Sequence, residues 1–227
     1  MKTIIGVIMF LMMTVLSYAN DIYVTQSGNA LDLDITQDGE NNTVGNSTTA
    51  SASAGVTTIL NIDQIGDSNV ITYQINGATY TGVINLVGSS NNVDLNCDST
   101  GGNSSCGTAN AVINFTGSSN DIDLDIGQTS SANTADVDIV GQSGSDSNVV
   151  AATVDGNSAI LTITVNGDTN NYLIDIDGNG DSVGHTLIHS HTGSIADVDI
   201  VQSGVNDNML NLTTSGDNHD IDIIQRD

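Results

Sequence analysis

The 227-residue chain carries 27 acidic side chains against two basic ones, a formal charge of −25, with seven aromatics and no proline. Such a charge excludes nucleic acid and anionic lipid as ready partners, because both polyanions are bound by basic surfaces. Hydrophobic residues still make up 38% of the chain and alternate regularly with polar ones, which argues against disorder driven by charge.

The first segment, MKTIIGVIMFLMMTVLSYA, has one Lys, an apolar run from Ile4 to Leu16, and small residues at Ser17 and Ala19. This is the pattern of a secretory signal peptide over 1–19, cleaved after Ala19, which predicts a secreted mature chain over 20–227. Its removal takes Lys2 and leaves Arg226 alone against the acids. No later apolar run approaches the roughly 18 residues of a spanning helix.

From there the chain repeats itself. Glycines followed by polar residues and then an alternating run occur at Gly28, Gly39, Gly66, Gly88, Gly117, Gly144, Gly156, Gly167, Gly204 and Gly216. In TGSSNDIDLDIG, Ile122, Leu124 and Ile126 oppose Asp121, Asp123 and Asp125; in NGDTNNYLIDIDG, Tyr172, Ile174 and Ile176 oppose Asp175 and Asp177. A two-residue period puts the apolar set on one face and the acids on the other. Each unit reads as strand, tight G-x-x-N turn, strand, where Gly permits positive φ and Asn tolerates left-handed geometry.

One such arch of about 22 residues has nothing to cover its apolar face, whereas stacked arches cover one another. The fold class expected is therefore all-β, a single β-solenoid domain of roughly eight or nine rungs, with inserted loops near 45–57 and 97–110. Gln64 and Asn69 should point inward, where stacking aligns side-chain amides into ladders. Absence of proline suits continuous ladders.

Three stretches invite a site reading. Cys97 and Cys106 bracket a polar loop, and after export a disulfide between them would staple it. In DIDGNGDS, Asp175, Asp177, Asn179 and Gly180 follow the first half of a calcium-binding EF-hand loop, but Thr186 stands where the bidentate Glu belongs. In HTLIHSH, His185, His189 and His191 share one side of a strand; a transition-metal site fits that spacing, and a plain polar strand near a loop is the preferred reading. The outward acids read first as a solvated face that resists sheet-on-sheet aggregation, and second as weak cation sites between rungs.

The pattern Q-x-G-x-x-N-x-h-x-x-x-Q, with h apolar, resembles the curlin repeat of bacterial curli subunits. Gln26, Gly28, Leu33 and Gln37 carry it, then Gln37, Gly39, Asn42 and Val44, then Gln64, Gly66, Asn69 and Ile71. Gly117 with Asn120 and Gly167 with Asn170 match in part, and Gln142 and Gln202 precede Gly144 and Gly204, with Asn148 and Asn208 one position late. Phe115, Ile126, Val154 and Val165 stand where the repeat has Gln. The resemblance implies a secreted subunit that polymerises with itself, or with a related subunit, into extracellular amyloid fibres of a biofilm matrix, exported through an outer-membrane pore.

Catalysis finds no support: there is no G-x-S-x-G elbow or phosphate-binding Gly-Lys-Ser, and the Asp pairs recur by strand alternation. The expectation is a structural, non-enzymatic protein, with no cofactor unless calcium binds. The rivals are a monomeric calcium-stabilised adhesin, a weaker ice-binding reading, and a minor subunit that nucleates fibres made by another chain.

Overall fold

Parallel strands that are hydrophobic on one face only need a second sheet to cover that face, and a coiling chain supplies both sheets itself. The computed structural model describes residues 21–27, 30–45, 51–54, 57–75, 79–97, 108–127, 134–155, 158–178, 185–204 and 208–226. Among these every regular element is a β-strand. One sheet has eight strands, Ala30–Asp38, Thr57–Ile65, Thr79–Val87, Thr108–Thr116, Thr134–Gly141, Ser158–Asn166, Thr186–Thr192 and Met209–Ser215.

The facing sheet has eleven strands. It begins with the interrupted levels Asp21–Ile22 with Thr25–Ser27 and Thr43–Val44 with Ser51–Ala54. It continues through Val70–Ile75, Asn92–Cys97, Asp121–Ile126, Val149–Asp155, Asn171–Gly178, Asp197–Gly204 and Asp220–Arg226. From Thr57 on, consecutive strands alternate between the sheets, and every pairing is parallel. The fold is a β-solenoid.

Rung length varies where the sequence suggested a near-constant 22. Asn85 stacks on Asp63, 22 residues earlier, and Asn114 on Asn85, 29 residues earlier. Most of the extra residues collect at one corner, where the chain passes from the eleven-stranded sheet back to the eight-stranded one. The opposite corner keeps four residues between strands at each level except one, Gly141 to Val149. The first insertion is also not all loop, because Ser51–Ala54 pairs with Thr25–Ser27 and with Val70–Ile75.

Register turns the alternation into columns. Ile35, Ile62, Ile84, Ile113, Ile139 and Ile163 lie in line across six successive strands, followed by His189 and Leu212. Val44, Ile71, Val93, Ile122, Val150 and Tyr172 line the facing sheet. All these aliphatic residues except Leu212 are buried, each stabilising the fold by about 1.5–3 kcal/mol relative to exposure.

Candidate functional site

The four-residue corner is the most repetitive part of the molecule and sets the phase of all the columns. Its third residue takes the left-handed conformation at all eight levels: Asn41, Ser68, Ser90, Ser119, Ser147, Thr169, Ile195 and Asn218 have φ between 56° and 62°. The sequence suggested that the ladder Asn would tolerate this geometry. It is the residue before Asn that adopts it, which leaves the Asn side chain free to turn inward.

Six asparagines, Asn42, Asn69, Asn91, Asn120, Asn148 and Asn170, then stack as a buried column. The Oδ1 of each from Asn69 onward accepts the main-chain N–H of the asparagine one rung earlier, at 2.8–3.0 Å. Asn42, Asn69, Asn120 and Asn170 each donate Nδ2 to the carbonyl of the glycine three residues before. The expected amide ladder exists, but it runs mainly between side chain and backbone. Asn148 occupies its rung after all, because Ser145 holds the repeat position: the Cα of Gly167 packs against the Ser145 carbonyl, while a side chain at Gly144 would meet nothing. Gly144 is therefore an extra residue outside the ladder. Gly193 is a corner glycine that the repeat pattern did not single out.

Glutamine ladders are confined to the two ends. Gln64 Nε2 donates to Gln37 Oε1 at 2.8 Å, and Gln225 Nε2 to Gln202 Oε1 at 2.9 Å. Between the first pair and the C-terminus the column continues through Leu86, Phe115, Gly141, Val165 and His191. Gln142, expected in the ladder, is exposed; Gly141 takes the inward place, and the Phe115 ring fills the space that its missing side chain leaves. Gly204 ends a strand of the eleven-stranded sheet opposite Gly178, at the variable corner. Gln26 pairs in register with Ser53, and Gly28 lies outside the described residues.

Outward, Asp and Asn interleave. Asn61 Nδ2 donates to Asp34 at 2.8 Å, Asn85 to Asp63 at 2.6 Å, Asn92 to Asp121 at 3.4 Å and Asn96 to Asp125 at 3.3 Å. An amide between carboxylates separates like charges that would otherwise sit one rung apart. The alternation fails where Asp94 lies beside Asp123, Asp197 beside Asp220 and Asp199 beside Asp222. Partial burial, with Asp94 and Asp121 adding repulsion, raises the Asp123 carboxyl above its ordinary range.

Among the described residues no three His, Cys, Asp or Glu side chains converge to hold a metal ion. Asp175 lies in register with Thr153 and Val201, and Asp177 with Asp155 and Ser203; Asn179 is outside the described residues. Cys97 is buried and disulfide-bonded; Cys106, the other cysteine of the chain, lies outside the described residues.

The histidine strand departs most from expectation. His185, His189 and His191 do lie on one side of the chain, and that side faces the interior, where all three are fully buried. Tyr172 packs edge-on against His189 and His191, at ring-centroid distances of 4.5 and 5.6 Å, and its hydroxyl meets His191 Nδ1 at 2.9 Å. Burial, with neighbouring His191, pushes His189 down to about 4. Burial and His219 lower His191, against an opposing pull from Asp168 and the Gly193 backbone.

The outermost described strands have one neighbour each. Met209–Ser215 pairs only with Thr186–Thr192, and Asp220–Arg226 only with Asp197–Gly204, among the described residues. Inward side chains there are uncovered: Ile223 is 44% exposed, whereas Ile200, its partner one rung earlier, is 1% exposed. Leu31 and Leu33 are likewise half-buried at the opposite end of the eight-stranded sheet. Comparison with protein-family models, curated proteins and solved structures returns no match.

Proposed function

We propose that this chain is a secreted structural subunit that extends by templated β-stacking into extracellular, curli-like fibres that hold cells in a biofilm matrix. The observation that carries this reading is that the outermost described strands have one neighbour each and leave inward apolar residues part-exposed. The last rung presents Leu210, Leu212, Ile221 and Ile223 incompletely covered, with one side of each terminal strand unpaired by any described strand. A second copy of the chain, or a related subunit, would continue the inward columns there: Leu33, Ile35 and Gln37 follow Leu210, Leu212 and Thr214 in the same order along the strand. Each added strand contributes main-chain hydrogen bonds and buries apolar surface at the joint. The function needs no catalytic group, and export would use a signal peptide and an outer-membrane pore.

The test is thioflavin-T kinetics on residues 20–227, with and without calcium, followed by fibre diffraction. A lag phase, seeding and a reflection near 4.7 Å are the expected outcome. A chain that stays folded and monomeric throughout overturns the assembly reading.

A second reading is favoured by the adjacent acids Asp197, Asp220, Asp199 and Asp222. A monomeric adhesin stabilised by calcium between rungs would use these pairs, and would appear as a monodisperse particle whose unfolding midpoint rises with calcium. A nucleating subunit is a further form of the assembly reading, and the absence of Asn from the corner at Ala196 and His219 favours it over a regular major subunit.

A further inference from the structure

All four histidines of the chain are His185, His189, His191 and His219, and all four lie in the last two rungs. Nowhere else does the described interior carry an imidazole. Three of them use Nδ1 in contacts to neighbouring residues. His185 Nδ1 accepts the Ala159 N–H of the preceding rung at 3.3 Å, and His219 Nδ1 accepts the Ala196 N–H at 3.3 Å. The latter replaces the Asn oxygen of the corner ladder with a ring nitrogen. His191 Nδ1 meets the Tyr172 hydroxyl. A protonated imidazole has no acceptor, so both backbone bonds require the neutral ring.

His189 makes the opposite point. It sits in the isoleucine column between Ile163 and Leu212, and neither of its ring nitrogens has a hydrogen-bond partner. A buried polar group in that state is desolvated without compensation by any partner, so an aliphatic residue would stabilise the rung better. The His191 and His219 rings are 5.4 Å apart, centre to centre, close enough for two positive charges to repel. The groups facing the cluster offer little compensation. Inward positions on the flanking strands are uncharged, Val165 before and Thr214 after, with Ile200 and Gln202 across. Tyr172 is held neutral by burial, and Asp168, in the turn before, is the one described carboxylate that acts on His191.

We propose that this histidine cluster is an acid-operated release for the two C-terminal rungs, residues 185–226, which separate from the strands Ser158–Asn166 and Asn171–Gly178 while the earlier rungs stay closed. The folded His189 and His191 imidazoles are depressed below the ordinary His value of about 6.5, to about 4 for His189. The unfolded rungs therefore bind more protons in between, and stability is present above pH ~6.5 and lost as pH falls toward pH ~4. The inference is independent of fibre assembly, because it concerns the folded chain alone.

The experiment is hydrogen exchange read by mass spectrometry on the secreted chain from about pH 7.5 to about pH 4, spanning the His range, with rates divided by the intrinsic chemical rate. Protection across 186–226 should fall by about 30-fold at pH ~5 from His189 alone, while strands from Thr57 to Asp155 keep theirs. The double variant His189→Leu, His191→Val copies the aliphatic residues of neighbouring rungs and should hold its protection; His219→Asn should keep the Ala196 amide protected. Loss of protection that is uniform along the chain, or unchanged in the double variant, overturns the proposal. Should the variants not fold, imidazole titration of the natural chain by NMR decides, and a His189 value at or above the ordinary range overturns it.

Discussion

Asn120 holds Asn91 across the rung boundary: its Oδ1 accepts the Asn91 main-chain N–H at 3.0 Å, while its Nδ2 donates to Gly117 at 3.1 Å. One side chain thereby satisfies a buried backbone donor in the neighbouring rung and a backbone acceptor in its own. Cutting Asn120→Ala strands both, at about 1–3 kcal/mol for each buried group. A loss of about 3 kcal/mol in chemical denaturation is expected, against less than about 0.5 kcal/mol for Gln142→Ala on the surface. Equal effects would remove the corner ladder from the account of stability.

Two glycines that look alike in the sequence should behave differently. Gly117, at φ 119°, lies so close to Gly88 that an added Cβ would overlap its carbonyl, whereas one at Gly144, φ 82°, would meet nothing. Gly117→Ala combines backbone strain with a clash and should cost about 4 kcal/mol or more. Gly144→Ala carries only the left-handed penalty, about 1–2 kcal/mol. Thermal melts of the two variants make the comparison.

Ile195 is a β-branched residue at φ 60°, 53% exposed, in a position that other rungs fill with Ser, Asn or Thr. Its side chain contributes little burial there and its backbone is strained. Ile195→Asn should stabilise the protein by about 1 kcal/mol, seen as a raised denaturation midpoint with the slope unchanged.

Asp123 faces Asp94 across a rung, with its carboxyl raised by partial burial and by that neighbour. A raised carboxyl binds its proton more tightly in the folded state, so stability falls as pH rises through its titration and is regained on acidification. Asp123→Asn should stabilise at neutral pH by roughly 0.2–1 kcal/mol, with the gain shrinking in high salt and vanishing at acid pH. A gain that ignores both would point to something other than charge. This window runs opposite in sign to that of the histidines, where acid weakens the fold.

Much of the solenoid could be read from alternation alone. Tyr172, Ile174 and Ile176 point inward and are buried as their spacing required, and Asn42, Asn69 and Asn120 stand in one column. The corner at Gly141–Val149 misled because it holds extra residues: counting from Gly144 puts Asn148 out of phase, and only the neighbouring rung shows that Ser145 is the residue in step. Gln142 failed for a related reason, since the inward place beside Phe115 has room for a glycine and no more. The shared side of the histidines was legible from alternation, but which side it is was not: only the register of His189 with Ile163 and of His191 with Val165 puts them inside.

The sequence by itself determined the two-residue alternation, the strand faces and the acidic exterior, because these follow from side-chain order along a single strand. Tertiary structure decided what lies beside what between rungs: the side-chain-to-backbone form of the Asn ladder, the Asn amides set between outward carboxylates, and the packing of buried His189 and His191 against Tyr172, with His219 beside His191. Those depend on which residues 22 to 29 positions apart come into register. Loop length at the variable corner shifts that distance without disturbing the alternation, so the pairing emerges only when the chain has coiled.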